Sequence, residues 1–426
     1  MCFGSMKRLL STSWRVYPRG AILTLLFIPV AITFSVPLKH LLSERTAELP
    51  YEELGKLLSL IGKNKKIISL GPGEPDFGPP SHVIRAAQLA LRDPAASRYS
   101  SPEGRLALRE AIARKLKREN RIDLPPDNVI VTSGSNEAIL LALIASIDPG
   151  EAVATVDPSY INYIPTTEML NGMAISLPVI PENDWQLIPE LVRKQIKEPR
   201  RTRVLIINSP ANPTGAVYPR KTLEEIADIA RDNDLLVISD EAYEKFVYGK
   251  AKHISIASLN GMEDYVLTLQ SFSKTYGMPG FRVGYAAGPK KLIDIMREIH
   301  LYSSLCSPTI SQIAALAALK GPQASIGKHV RDYDRRRKFV VRRINEINGF
   351  TCSSEPQGAF YVFPKFSFKM KSVALAHALM KKARVLTVPG SDFGRYGEGY
   401  LRLSYATAMP LLEEGLDRIE TAAKKL

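Results

Sequence analysis

At 426 residues the chain is long enough for one large and one smaller domain, each with its own core. Hydrophobic residues make up 45% and charged residues 23%, as in an ordinary globular protein, and the three scattered cysteines (Cys2, Cys306, Cys352) and six unclustered histidines argue against a disulfide framework or a metal site. The net charge of +14 suits attraction of anionic substrates; its densest run, Arg335–Lys338 with Arg342 and Arg343, has no interleaved aromatics and reads as a solvated helix face, not a nucleic-acid surface.

In chain order, the first feature is the apolar stretch Ala21 to Val36, preceded by Lys7, Arg8, Arg15 and Arg19. It is shorter than the roughly 20 apolar residues a spanning helix needs, Pro29 interrupts it, and no Ala-x-Ala site follows. Residues 1–42 therefore read as an extension from a start set too far upstream, ahead of a signal peptide or a membrane anchor. The cysteine usage points to the cytoplasm.

Val129–Thr132 predicts a strand that runs into Ser133-Gly134-Ser135-Asn136 and then an apolar helix. Strand, small-residue turn and helix start make either an anion cradle of backbone N–H groups or an ordinary βα turn. Further strands are predicted at Ala152–Val156 and Val204–Ile207. The second leads into Asn208-Ser209-Pro210-Ala211-Asn212-Pro213-Thr214-Gly215, which is either a turn or a way to aim Asn212 at a ligand. A helix is expected over Thr222–Arg231, with Leu223, Ile226, Ala227 and Ala230 on one face.

The apolar run Leu235–Ser239 ends at Asp240, where an open α/β sheet places its ligands, although a helix N-cap is the plain alternative. Tyr243 would face the same side if a helical turn follows. Next comes the strand Tyr265–Gln270, then Ser271-Phe272-Ser273-Lys274-Thr275-Tyr276-Gly277-Met278-Pro279-Gly280-Phe281-Arg282. An amine flanked by hydroxyls, with a guanidinium eight residues on, suits an aldehyde that carries a phosphate. The amine forms a Schiff base and the other groups hold the anion. Pyridoxal phosphate is such a molecule, and its ring nitrogen needs a carboxylate such as Asp240.

A strand over Val283–Ala287, a long helix over Ser325–Asn345, strands near Ala359–Phe363 and Tyr400–Ser404, a helix over Val373–Lys382 and a last helix from Leu411 complete the chain. In Leu401-Arg402-Leu403 the alternation sets Arg402 opposite the apolar face. Strands alternating with helices from about Val129 to Gly288 argue for a mainly parallel sheet wrapped by helices.

These motifs, in this order, resemble the class I/II aminotransferases, the fold-type-I pyridoxal phosphate enzymes, from about Ser43 to the C-terminus. The segments Ser69–Phe77, Asn208–Val217, Asp332–Arg337 and Gly358–Pro364 are similar to the aspartate and aromatic aminotransferase branch of archaea and bacteria. The resemblance implies an α/β fold: a large domain (71–324) with a seven-stranded-type, mainly parallel sheet, and a smaller α/β domain (43–70 with 325–426).

It also implies residue roles. Lys274 would hold pyridoxal phosphate and shuttle the proton at the substrate α-carbon. Asp240 would pair with the pyridine nitrogen, and Tyr243 and Asn212 would donate to the phenolate oxygen. Tyr160 would stack on the ring. Ser135, Asn136, Ser271, Ser273 and Arg282 would bind the phosphate, and Tyr99 would reach the phosphate of a neighbouring subunit, giving a homodimer with shared sites. Arg402, with Gly73, would take the substrate carboxylate. The implied reaction moves an amino group from an amino acid to a 2-oxo acid, with 2-oxoglutarate expected, by a ping-pong route.

Three departures bear on this reading. Pro279 removes a backbone donor beside Arg282 but keeps its spacing. Ser135-Asn136 stands where some aspartate enzymes have Gly-Lys, and His300–Cys306 lacks the arginine that binds a distal carboxylate in another aspartate subgroup. Both leave aromatic, aspartate or broad specificity open. The competing readings are β-elimination or α-decarboxylation on the same cofactor, and a non-catalytic binding or regulatory protein.

Overall fold

Apolar runs along the first two-thirds of the chain pair into one large sheet, and shorter ones pair near the C-terminus. The structure, a computed structural model, describes residues 66–196 and 202–426; the expectations for 1–42 and for 43–65 lie outside the described residues. The described chain opens with β1 (Ile68–Ser69) and the helices Ser81–Ala90 and Leu106–Lys115. Seven strands follow: β2 (Val129–Thr132), β3 (Ala152–Asp157), β4 (Met173–Pro178), β5 (Thr202–Asn208), β6 (Leu236–Asp240), β7 (Val266–Ser271) and β8 (Gly284–Ala287). Their order in the sheet is β2-β8-β7-β6-β5-β3-β4. β4, β3, β5, β6 and β7 run parallel, and β8 lies antiparallel between β7 and β2. The expectation of a mainly parallel sheet holds.

Burial on both faces explains the continuous apolar runs of β5 and β6. Val204, Ile206 and Ile238 join one cluster with Ile139 and Leu143 of the helix Ser135–Ser146. Leu205, Ile207 and Val237 join another with Leu223 and Ile226 of the helix Arg220–Asp232. Each such side chain contributes about 1.5–3 kcal/mol by leaving water. β4 was not expected: it is an edge strand whose residues are mostly half-buried, so its sequence, Met-Ala-Ile-Ser-Leu-Pro, lacks a run of large apolar residues.

Register carries the functional consequence. Asn208 pairs with Asp240, Asp240 with Leu269, and both Ser271 and Thr132 with Gly284. The carboxyl ends of β2, β5, β6 and β7 therefore meet at one edge of the sheet, where such folds bind ligands.

After the long helix Ala324–Glu346 the chain makes β9 (Phe350–Thr351), β10 (Tyr361–Val362), β11 (Lys365–Phe366), β12 (Val385–Leu386), β13 (Val388–Pro389) and β14 (Leu401–Ser404). β10 and β13 flank β14 antiparallel, and β1 pairs parallel with β12. The helices Ser372–Ala383 and Met409–Ala423 cover a core of Phe360, Leu375, Leu379, Leu403, Leu412 and Leu416. Among the described residues no helix is long and apolar enough to cross a membrane.

The basic run is not a solvated face throughout. Arg336 and Arg337 share the buried side of the long helix with Tyr333, Val340 and Ile344, as helical spacing dictates. Arg336 donates to Asp76 at 2.7 Å and to the Thr407 carbonyl at 2.8 Å. Arg337 donates to Asp334, Glu355 and the Pro356 carbonyl. Arg335 and Lys338 keep exposed side chains.

Candidate active site

The edge of the sheet first builds an anion cradle. Gly134 precedes the helix Ser135–Ser146 with φ +83°, and no side chain caps the helix. Its first-turn N–H groups are those an anion satisfies. A Cβ on Gly134 would lie 2.6 Å from Arg282 Nη2, so glycine is what lets the guanidinium lie against this turn. Arg282, itself left-handed at φ +51°, donates to the Ser133 and Pro279 carbonyls at 3.1 Å each. Pro279 opens the tight turn that presents this arginine. Across the cradle, Ser271 Oγ accepts from the Ser273 amide at 3.1 Å and so caps the short helix that carries Lys274.

Asp240 is the buried last residue of β6, and the residues 242–245 that follow, Tyr243 among them, form a turn. Its carboxylate accepts from the Tyr163 hydroxyl at 2.7 Å and the Ala242 amide at 3.1 Å. Burial nonetheless pushes its pKa up, against the Tyr163 and Ala242 hydrogen bonds. A cationic partner reverses such a shift. The buried Asn208 side chain donates to the Asp240 carbonyl at 2.9 Å and accepts from the Asn212 amide at 2.7 Å, which seats the Asn212 turn beside it. Tyr160 donates to Asn136 Oδ1 at 3.0 Å and meets Tyr163 edge to face.

Lys274 donates its amine to the Gly73 carbonyl. Burial, then the nearby Arg402, holds its pKa down at about 8, with Arg282 adding and Glu74 and Asp240 opposing. Arg402 is buried and donates to Asn212 Oδ1 at 3.0 Å and the Gly71 carbonyl at 2.5 Å. Its guanidinium lies 4.4 Å from the Tyr361 ring and 4.8 Å from the Phe393 ring. Its Nε is buried and has no hydrogen-bond partner among the described residues. The Tyr243 and Tyr361 hydroxyls are 2.7 Å apart.

Twelve of the thirteen residues singled out in the sequence line one cavity of about 360 Å³: Gly73, Ser135, Asn136, Tyr160, Asn212, Asp240, Tyr243, Ser271, Ser273, Lys274, Arg282 and Arg402. Tyr99 stands outside it, 84% exposed. Sequence reasoning missed Tyr361, Asn208 and Tyr163. Asn208, as the last residue of a strand, carried the same positional signal as Asp240. The donors fit a small molecule with a phosphate at the Gly134 turn, a cationic ring nitrogen at Asp240 and a carboxylate at Arg402, whose Nε is otherwise orphaned.

Residues 65–419 match the family model for aminotransferases of class I and II. The aspartate aminotransferase of Pyrococcus abyssi is 41% identical over 388 residues, 90% of this chain and 98% of that one. The aromatic-amino-acid aminotransferase 2 of Thermococcus litoralis has the same identity and coverage. The crystal structure of the aromatic aminotransferase from Pyrococcus horikoshii superposes with a TM-score of 0.80 at 41% identity, covering 87% of this chain and 99% of that one. The chain belongs to the class I and II aminotransferases. Its cofactor is pyridoxal phosphate and its fold is that of the family. As an aminotransferase it moves an amino group between amino and oxo acids. That outcome sets aside β-elimination, decarboxylation and a purely binding role.

Beside this aminotransferase site lies a second polar group. His253 Nε2 is 3.0 Å from Glu241, and these two with Glu244 bring ligand atoms within 4.8 Å of one another, a clustering the sequence did not suggest. Lys115 Nζ lies 2.5 Å from Glu244 Oε1, Asn120 and Gln270 donate to Glu244 Oε2, Ser255 donates to Glu241 Oε2 and Ser239 to Glu241 Oε1. With the ammonium groups of Lys115 and, at 3.6 Å, Lys245 both facing Glu244, the group is a buried ion-pair network beneath the Asp240 turn.

Proposed function

We propose that this aminotransferase takes an aromatic amino acid, aspartate, or a range including both, as donor and 2-oxoglutarate as acceptor, in the cytoplasm, as a homodimer. The observation that carries the site assignment is the pairing of Lys274 with Arg402 across one cavity, with the Arg402 Nε buried and unpartnered. Relatives named for aspartate and for aromatic substrates, at the same 41% identity, support the donor range.

Bound pyridoxal phosphate supplies an aldehyde that takes the amino group and a ring that accepts electrons from the substrate α-carbon. The protein's residues do the rest. Ser135, Asn136, Ser271, Ser273 and Arg282 hold the phosphate. Asp240, fixed by Tyr163, holds the ring nitrogen cationic. Asn212 and Tyr243 donate to the phenolic oxygen, and Tyr160 covers the ring face. Arg402 and Gly73 orient the substrate carboxylate, which fixes the α-carbon beside Lys274. With a pKa near 8, Lys274 is poised to take the α-proton and return it. Tyr99, outside the cavity of its own chain, serves the phosphate of the second copy. We assign residues 71–324 to a large lobe and, of the described residues, 66–70 with 325–426 to a small one, whose core around Phe360 and Leu403 also takes in Tyr243 and Phe246 of the large lobe.

The test is an absorbance spectrum of the purified protein with pyridoxal phosphate, before and after aspartate, tyrosine, phenylalanine and alanine. Conversion of the cofactor band, reversed by 2-oxoglutarate, establishes donor and acceptor together. A band that no amino acid shifts would sink the substrate assignment.

A further inference from the structure

We propose that His300 is a positioning residue for the phosphate cradle: its imidazolium offsets the Glu137 carboxylate, an acid built into the helix turn that receives the anion. The inference rests on the assignment above of the cofactor phosphate to the Gly134 turn.

Glu137 lies in the first turn of the helix Ser135–Ser146, next to Asn136. Its Oε2 accepts from the Ser133 amide at 2.5 Å, and the Ser133 carbonyl in turn accepts from Arg282 at 3.1 Å. Its Oε1 accepts from the Ser304 hydroxyl at 2.5 Å. The carboxylate thus pins the residue on which the guanidinium of the cradle rests. Burial pushes the Glu137 carboxyl up, but the His300 imidazole, the Ser133 amide and the Ser304 hydroxyl together hold it down at about 2. It is therefore ionised at neutral pH, a negative charge within a turn whose free N–H groups attract anions. Unopposed, it would repel a phosphate.

His300 opposes it. It is fully buried in the last turn of the helix Lys290–Ser303, where the helix dipole favours a cation. Nδ1 lies 2.7 Å from the Pro102 carbonyl, which can only accept, so Nδ1 carries a proton. Nε2 is buried with no hydrogen-bond partner among the described residues and lies 3.3 Å from Glu137 Oε2. A second proton there makes this contact an ion pair. The neighbouring Glu103 carbonyl accepts from the Val131 amide of β2 at 3.0 Å, so the backbone that holds Nδ1 is itself tied to the sheet. The pair lets Glu137 brace Ser133 without weakening the attraction of the cradle for phosphate.

The experiment is an absorbance titration of the cofactor-free full chain with pyridoxal phosphate and with pyridoxal, which offers Lys274 the same aldehyde but carries no phosphate. The ratio of the two dissociation constants reports the cradle alone. His300→Gln is expected to cut the preference for the phosphorylated form roughly three- to thirtyfold, the range for a charge at a helix terminus, and to leave the affinity for pyridoxal within about twofold. The double variant, Glu137→Gln with His300→Gln, removes both charges and is expected to restore the wild-type preference to within about twofold. An equal loss of both affinities in His300→Gln would show a merely structural role and overturn the proposal, as would an unchanged preference. A double variant no better than the single one also overturns it, because the Glu137 charge would then not be what His300 offsets. If His300→Gln does not fold, His300→Asn, which keeps a donor for the Pro102 carbonyl, is read by the same criteria. A wild-type chain that binds pyridoxal as tightly as pyridoxal phosphate would instead refute the phosphate assignment itself.

Discussion

Tyr163 gives its phenol proton to the Asp240 carboxylate across 2.7 Å, with both side chains buried beneath the cavity. A hydrogen bond to a charged group contributes about 1.5–3 kcal/mol, so Tyr163→Phe is expected to lower kcat/KM roughly ten- to a hundredfold. The loss follows because burial already pushes the Asp240 pKa up, and without the phenol the carboxylate is a poorer partner for a cationic ring nitrogen. Steady-state kinetics with the best donor, alongside a circular dichroism spectrum to show an intact fold, check it. Unchanged kcat/KM would show that Tyr163 is packing only.

The amine of Lys274 is held down at about 8, first by burial and then by Arg402. Only the unprotonated amine adds to an aldehyde, so capture of pyridoxal phosphate by the cofactor-free protein is expected to speed up with pH and level off above about 8. An unperturbed lysine would keep accelerating past about 10. Arg402→Leu removes a cation that disfavours the ammonium, so the midpoint moves up. Stopped-flow absorbance against pH measures both; a wild-type midpoint near that of an ordinary lysine contradicts the electrostatic account.

What the sequence made legible was local. Lys274 sits in one short motif, and Asp240 and the Gly134 turn each end an apolar run of strand length, so type and position together marked them. Partnerships across long stretches of chain were not legible. Tyr361 and Tyr243 are 118 residues apart and Tyr163 and Asp240 are 77 apart, and no local periodicity states which side chain will face which. β4 escaped because an edge strand needs fewer large apolar residues. The basic run misled because composition says nothing of helical phase: Arg336 and Arg337 fall on the buried side, and Arg335 and Lys338, on either side of them, on the exposed one.

That phase makes its own prediction. Arg337 is buried and donates to Asp334, Glu355 and the Pro356 carbonyl, whereas the Arg335 side chain, 69% exposed, meets Asp332. Arg337→Ala strips a buried cation from its partners and is expected to cost about 3 kcal/mol. Arg335→Ala removes a surface pair and costs less than about 0.5 kcal/mol. Urea denaturation of the two variants separates them; equal midpoints would mean that Arg337 is not the buried anchor the geometry makes it.

The cradle gives the last prediction. Gly134 holds φ +83°, and a Cβ there would lie 2.6 Å from Arg282 Nη2. Gly134→Ala therefore strains the backbone and pushes the guanidinium off the turn together. Strain at a left-handed non-glycine residue costs about 1–3 kcal/mol, and the cost falls on the conformation that binds phosphate. The dissociation constant for pyridoxal phosphate is expected to rise at least about tenfold. Gly78→Ala is the control, because its Cβ would meet nothing within 4 Å. Fluorescence titration of both variants with pyridoxal phosphate decides the matter. Equal affinity in the two would show that the phosphate is not held at the Gly134 turn, and would move the anion site elsewhere in the cavity.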